Sequence, residues 1–198
     1  MNKKTTVQFA GLLAAALCLP AQAEERPQAS LNDNMKTETN MNDNLIKKAN
    51  EAITQLRNEG YSCSQATFLG LCRALGSELT EKQLKALSAG FRGGIGKTYE
   101  DGTCGALSAG IMALGLYTPD DNDKGIALAG ELFKHFKDTY GTVKCGDIVG
   151  QYQFTRCTGC CLCIGEKVVE LLQRERVELP QANTATWDKA VQSKSQEQ

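Results

Sequence analysis

Nine cysteines in 198 residues are the chemistry-bearing feature of this chain. Eight follow the first 23 residues: Cys63, Cys72, Cys104, Cys145, Cys157, Cys160, Cys161 and Cys163. The last four fall within seven consecutive positions. Such crowding is a poor way to cross-link distant segments, and it points to thiol chemistry or metal ligation. Cys157-Thr158-Gly159-Cys160 is a C-x-x-C pair leading into a helix, and Cys160 and Cys163 repeat the spacing one turn on. That spacing serves reversible disulfide exchange or half of a metal site. Cys157, Cys160 and Cys163 are therefore the candidate metal ligands, with a structural disulfide as the plainer alternative.

Helical geometry sorts the others. Cys63 and Cys72 are nine residues apart in one helical segment, which at 3.6 residues per turn puts them on opposite faces. Cys72 shares the bulky face with Phe68 and Leu75 and reads as a small buried hydrophobe. Cys63 shares a face with Ala66, Thr67, Gly70 and Ala74, where another backbone can approach and bring a second cysteine. Cys104 falls in the first turn of a helix, where free N–H groups and the dipole favour a thiolate. It is the leading candidate for a reactive thiol, against the plain reading of a buried small residue. Cys145 precedes Ile148-Val149 and is placed near another helix start. Cys161 shares the apolar face of Ile164 and Val168, whereas Cys163 shares the polar face of Lys167 and Glu170.

The elements that must hold these residues are helices. Leu45, Ala49, Ile53 and Leu56 set a first helix from about Asn42 to Asn58. Ser62 caps a second to about Leu75, and Thr80-Glu81-Lys82-Gln83 opens a third to about Phe91. A fourth, from about Thr103 to Tyr117, is apolar on nearly every side, so it belongs in the centre. Its stripe of Ala106, Ala109, Gly110 and Ala113 implies close packing. A fifth starts at Asp120–Asp123 with Ile126, Ala129, Phe133, Phe136 and Tyr140 on one face, and the last runs from Cys161 to about Arg174. No alternating strand pattern or repeat is found. The expected fold is all-α: one domain of about six helices, residues 43–176, around a central Gly/Ala-rich helix.

The flanks differ in kind. Residues 1–23 read as a secretion signal: Lys3 and Lys4, an apolar run from Phe9 to Leu19, then Ala21-Gln22-Ala23 before the cleavage point. Cleavage would remove Cys18 and leave 175 residues with a net charge of −3. The expected location is periplasmic or secreted, with no membrane span after cleavage. Residues 24–42 are expected to be a flexible tether and residues 177–198 a polar tail, apolar only at Trp187. A weakly acidic chain without a basic stripe argues against nucleic acid. Gly93-Gly94-Ile95-Gly96 follows a helix and lacks a following Lys-Ser or Lys-Thr, so it reads as a tight bend beside the central helix rather than a phosphate loop. His135 reads as a solvated helix-edge residue, and Glu100 and Asp101 as solvated loop acids.

The ordered set Gly60-Tyr61-Ser62-Cys63-Ser64-Gln65-Ala66, Phe91-Arg92-Gly93-Gly94-Ile95-Gly96 and Gly102-Thr103-Cys104-Gly105-Ala106-Leu107-Ser108-Ala109-Gly110, then Cys145 with Gly150, then cysteines before a final helix, resembles the C-GCAxxG-C-C family. The resemblance spans about residues 45–175 and implies a helical domain with a redox role. Carried over by position, the family cysteines fall on Cys63, Cys104, Cys145 and Cys161, with Cys160 a rival for the last. Cys157, Cys160 and Cys163 are additions of this chain, and the secretion signal is a further departure. No C-x-x-C-H haem motif is present.

Three functions compete at this point. The first is dithiol–disulfide exchange or electron transfer with an unidentified redox partner protein and no required cofactor, Cys104 being the nucleophile. The second is a cysteine-ligated zinc or iron–sulfur centre. The third is a non-enzymatic binding protein stapled by disulfides.

Overall fold

The computed structural model describes the backbone of residues 28–180 and the side chains of residues 43–180. The expected signal peptide (residues 1–23), the first part of the expected tether and Trp187 lie outside the described residues. Within them the chain forms seven α-helices: α1 (Gln28–Asn58), α2 (Cys63–Leu75), α3 (Glu81–Ala89), α4 (Gly105–Tyr117), α5 (Asn122–Tyr140), α6 (Cys145–Tyr152) and α7 (Cys157–Arg174), with a 3₁₀ turn, Gln153–Arg156, between the last two. No strand forms among the described residues; an isolated antiparallel bridge joins Thr103 to Lys144.

Sequence-level caps set the boundaries. The Ser62 hydroxyl accepts from the Gln65 N–H at 3.3 Å and starts α2. Thr80 and Gln83 close the expected capping box of α3. Asp121 accepts from the Lys124 N–H at 2.9 Å at the head of α5. Gly60, Gly76 and Gly141 end helices at positive φ, where a side chain would be strained.

The Gly/Ala-rich α4 is central, packing on α2, α5 and α7. Its residues Ala106, Ala109, Gly110 and Ala113 are buried, as are Leu107 and Leu114. A side-chain carbon at Gly110 would fall 2.4 Å from Ile164 Cγ2, so this glycine sets the spacing between α4 and α7. Helix α2 shares the centre, contacting α1, α3, α4 and α7. Ile53 of α1 enters a slot between two glycines, Gly70 of α2 and Gly165 of α7; a carbon on either would come within 2.6 Å of it. The small face of α2 beyond Cys63 therefore receives α1.

Three expectations are corrected. Helix α1 begins at Gln28, well before Asn42; its apolar spacing begins only where the helix meets the core. The helix start expected near Cys145, read from Ile148-Val149 as one helical turn, is an eight-residue helix that Cys145 itself opens. The inward face of α5 is Leu128, Leu132 and Phe136, while Ile126 is 71% and Phe133 39% exposed. Phe136 and Tyr140 of the expected face do meet the core, and the inward stripe is rotated away from Ile126 and Phe133 toward Leu128 and Leu132.

Candidate thiol site

Four helices aim their N-terminal ends at one region, and each starts with a cysteine. Cys63 is the first residue of α2, Cys104 the N-cap of α4, Cys145 the first residue of α6 and Cys157 the first residue of α7. Cys160 and Cys161, one turn into α7, point to the same place. A side-chain carbon at Gly105 would fall 2.9 Å from Cys63 Sγ and 2.5 Å from the Phe91 carbonyl, so the absence of a side chain there lets α4 begin against Cys63. Cys104 and Cys160 lie close enough to interact directly. Cys161 Sγ donates to the Cys157 carbonyl at 3.0 Å and approaches the Cys63 carbonyl at 3.6 Å. Each of the eight described cysteines is a free thiol.

The loops hold these starts in register. The Cys104 N–H donates to the Val143 carbonyl and the Cys145 N–H to the Gly102 carbonyl, both at 2.8 Å, which locks the two cysteines together across the Thr103–Lys144 bridge. The Gly146 N–H donates to the Tyr99 carbonyl at 2.6 Å. The glycine-rich bend lies against this unit: a carbon on Gly94 would come within 2.9 Å of Cys145 Cβ, and one on Gly102 would sit 1.5 Å from the Gly94 carbonyl oxygen. Ile95, Lys97 and Tyr99 also take positive φ here. Backbone strain of this kind is held in place by surrounding contacts.

The thiols differ in access. Cys104, Cys145, Cys160 and Cys161 are buried, whereas Cys63 and Cys157 are half-buried. A cleft of about 340 Å³ opens onto Cys63, Cys145 and Cys157, walled by Arg57, Arg92 and Phe154. The Arg57 guanidinium is fixed by donating to the Tyr61 carbonyl at 2.5 Å and to Thr158 Oγ1 at 3.4 Å.

Electrostatics at Cys104 run in two directions. The N–H groups of Ala106 and Leu107 do favour a Cys104 thiolate, but the interaction with Cys160 and burial outweigh them and hold Cys104 well above the ordinary thiol range. Burial pushes Cys145 up to about 12, helped by Cys104 and Cys63. Burial also raises Cys63 and Cys157, against which Arg57 acts on both, with the Gly93 and Ser64 N–H groups acting further on Cys63. Cys161, wholly enclosed, is raised by burial and then by Cys63.

Of the expected site residues, Cys63, Cys104, Cys145 and Cys161 are brought together. Cys157 and Cys160 join them, so Cys160 and Cys161 both face the site, the first toward Cys104 and the second toward Cys63. Cys163 stands apart, its sulfur 3.5 Å from His135 Nε2. Tyr140 lies beside both Cys160 and Cys163; burial, and then these two thiols, raise its hydroxyl above the ordinary range. Cys72 lies elsewhere, beside Tyr117 and Ser77, and burial lifts it to about 12. Among the described residues no three His, Cys, Asp or Glu side chains surround a point at metal-ligand spacing. The sequence reading missed Arg57 and Arg92; Arg92, immediately before the glycine bend, was the available signal for one of them.

No curated protein and no solved structure matches the chain. A family model does, over residues 61–174, described as "Putative redox-active protein (C_GCAxxG_C_C)". The match takes in all eight described cysteines and every wall of the thiol site except Arg57 and Gly60, and by it the chain belongs to the C_GCAxxG_C_C family.

Proposed function

We propose that this is an exported thiol-redox protein working by dithiol–disulfide exchange. The observation that carries it is the convergence of six thiols from four helix starts, with two of them, Cys63 and Cys157, half-open on a cleft and an interacting buried pair, Cys104 and Cys160, behind. In one cycle a cleft thiolate attacks an external disulfide and a mixed disulfide forms as one external thiolate leaves. A neighbouring cysteine displaces the second thiolate and closes an internal disulfide. Two electrons pass outward and the two cysteine protons go to the leaving thiolates. Cys157 and Cys63 are the exchanging pair, and Cys104 with Cys160 stores the disulfide. Burial moves Cys104 from attacking to storing, with Cys145 and Cys161 at its flanks. Export, to the periplasm or beyond, is supported by Lys3, Lys4, the apolar run and Ala21-Gln22-Ala23.

The test is equilibration of the intact protein in thiol–disulfide buffers, with mass mapping of each cysteine. A reversible disulfide mapping to Cys104–Cys160, replaced by Cys63–Cys157 in Cys104→Ser with a shifted midpoint, is the expected result. Eight inert thiols, or fixed disulfides resistant to mild reductant, would sink the proposal. A cysteine-ligated zinc or iron–sulfur centre draws on the same thiolates, which are the right donor type. Its mark is stoichiometric metal in anaerobically purified protein, lost in Cys160→Ser.

A further inference from the structure

We infer that the cleft is a binding site for a small anionic disulfide, which Arg57 and Arg92 hold by its carboxylate while Cys157 attacks the S–S bond. The inference rests on the dithiol reading and adds its substrate class.

The cleft is chemically one-sided. Two arginines line it and no carboxylate does. Neither arginine is paired with an acid among the described residues: Arg57 spends its donors on the Tyr61 carbonyl and Thr158, and Arg92 makes no ion pair. Glu100, next to the lining residue Tyr99, is exposed on its loop, and two other acids close in sequence to lining or rim residues are committed elsewhere. Glu59 accepts from Gln55 Nε2 at 2.9 Å, and Glu81 accepts from the Tyr61 hydroxyl at 3.2 Å and pairs with Arg73 at 3.6 Å. Lys85 adds a third positive charge at the rim, 4.8 Å from the centre of the Tyr61 ring. An unneutralised pair of guanidiniums next to thiols, on a chain of net charge −1, selects an anion.

Size narrows the class. About 340 Å³ lies at the small end of ligand cavities, enough for one arm of a small disulfide and too little for a folded protein segment. Fixed by its two hydrogen bonds, Arg57 also favours the thiolates of Cys63 and Cys157, so one cation would serve both binding and attack. The step balances as above: Cys157–S–S–R forms, the other half leaves as a thiolate, and Cys63 then displaces the first half.

Three disulfides of similar size but different charge test it: dithiodiglycolate (anionic), 2-hydroxyethyl disulfide (neutral) and cystamine (cationic). Each is mixed with the fully reduced intact protein, and Cys157 oxidation is followed by quenched mass mapping. The anionic compound should react at least about tenfold faster than the cationic one, with the gap closing at high salt. Arg92→Glu, an exposed position where folding is not at risk, should reverse the order. Equal rates, an order indifferent to Arg92→Glu, or oxidation only by disulfides carried on acidic proteins overturns the anion site. If no disulfide of any charge oxidises the thiols, it is the dithiol reading that fails.

Discussion

A thiol at the start of a helix is pulled two ways. Backbone N–H groups and the dipole favour its charge, and burial opposes it. At Cys104 the interaction with Cys160 and burial outweigh the N–H groups and favour the protonated thiol. This has a measurable form. With Cys145 at about 12, its alkylation rate should climb about tenfold per pH unit well beyond pH 9, because the thiolate fraction does. Mass mapping over a pH series would show this, and a plateau near pH 9 would contradict it. Cys72 gives a stability prediction. Its folded value near 12 lies above its ordinary 9.0, so the folded state keeps a proton that the unfolded state loses. Its contribution is full below pH 9 and fades as pH rises from 9 toward 12. Cys72→Ala should cost about 1–2 kcal/mol at pH 7 by chemical denaturation, flatten that decline and leave the redox midpoint unchanged.

At the scale of the element, the glycines decide where the thiols sit. Gly110→Ala would push a carbon to 2.4 Å from Ile164, and should cost about 1–3 kcal/mol while separating Cys104 on α4 from Cys160 on α7. A lower melting temperature together with a changed midpoint is expected; a changed melting temperature alone would uncouple packing from the site. Most elements were legible in the sequence because their signals are local. Ser62 and the Thr80–Gln83 box announce their helices, and the opposed faces of Cys63 and Cys72 follow from helical period alone. The register of α5 was not legible, since Ile126 and Phe133 compete with Leu128 and Leu132 and only the neighbours on α4 and α7 decide. The choice between Cys160 and Cys161 was equally hidden. They lie about 100° apart on one helix, and Cys160 meets Cys104 while Cys161 meets the Cys63 carbonyl only because α4 and α2 arrive from different sides. The cleft arginines belong to α1 and to the turn after α3, so no spacing in the chain connects them.

For the whole molecule, the site ties the first half of the domain to its end. A disulfide between Cys104 and Cys160 would close a loop of more than fifty residues, worth about 4 kcal/mol on the chain-entropy account. The oxidised protein should therefore melt roughly ten degrees above the reduced one, and Cys160→Ser should erase the difference. Calorimetry on the two redox states decides this. A rise of only about half that size would place the stored disulfide within one helix, between Cys157 and Cys160, where the short closed loop is worth about 2 kcal/mol.

Tyr140 gives the cluster a second face. Its hydroxyl lies beside Cys160 and Cys163, and the sulfur of Cys163 is 3.5 Å from His135 Nε2. On the dithiol reading, sulfur traffic and proton traffic then run through separate doors. The disulfide enters past Arg92, while the protons of the buried thiol pair would pass by way of Tyr140, Cys163 and His135 to water, from which the departed thiolates take them up. Tyr140→Phe keeps the ring against Phe136 and breaks that route. It should leave the equilibrium midpoint in place, slow oxidation of the buried pair and diminish its solvent deuterium isotope effect. In such a protein the rate of electron transfer would be set by a phenol that never touches the substrate.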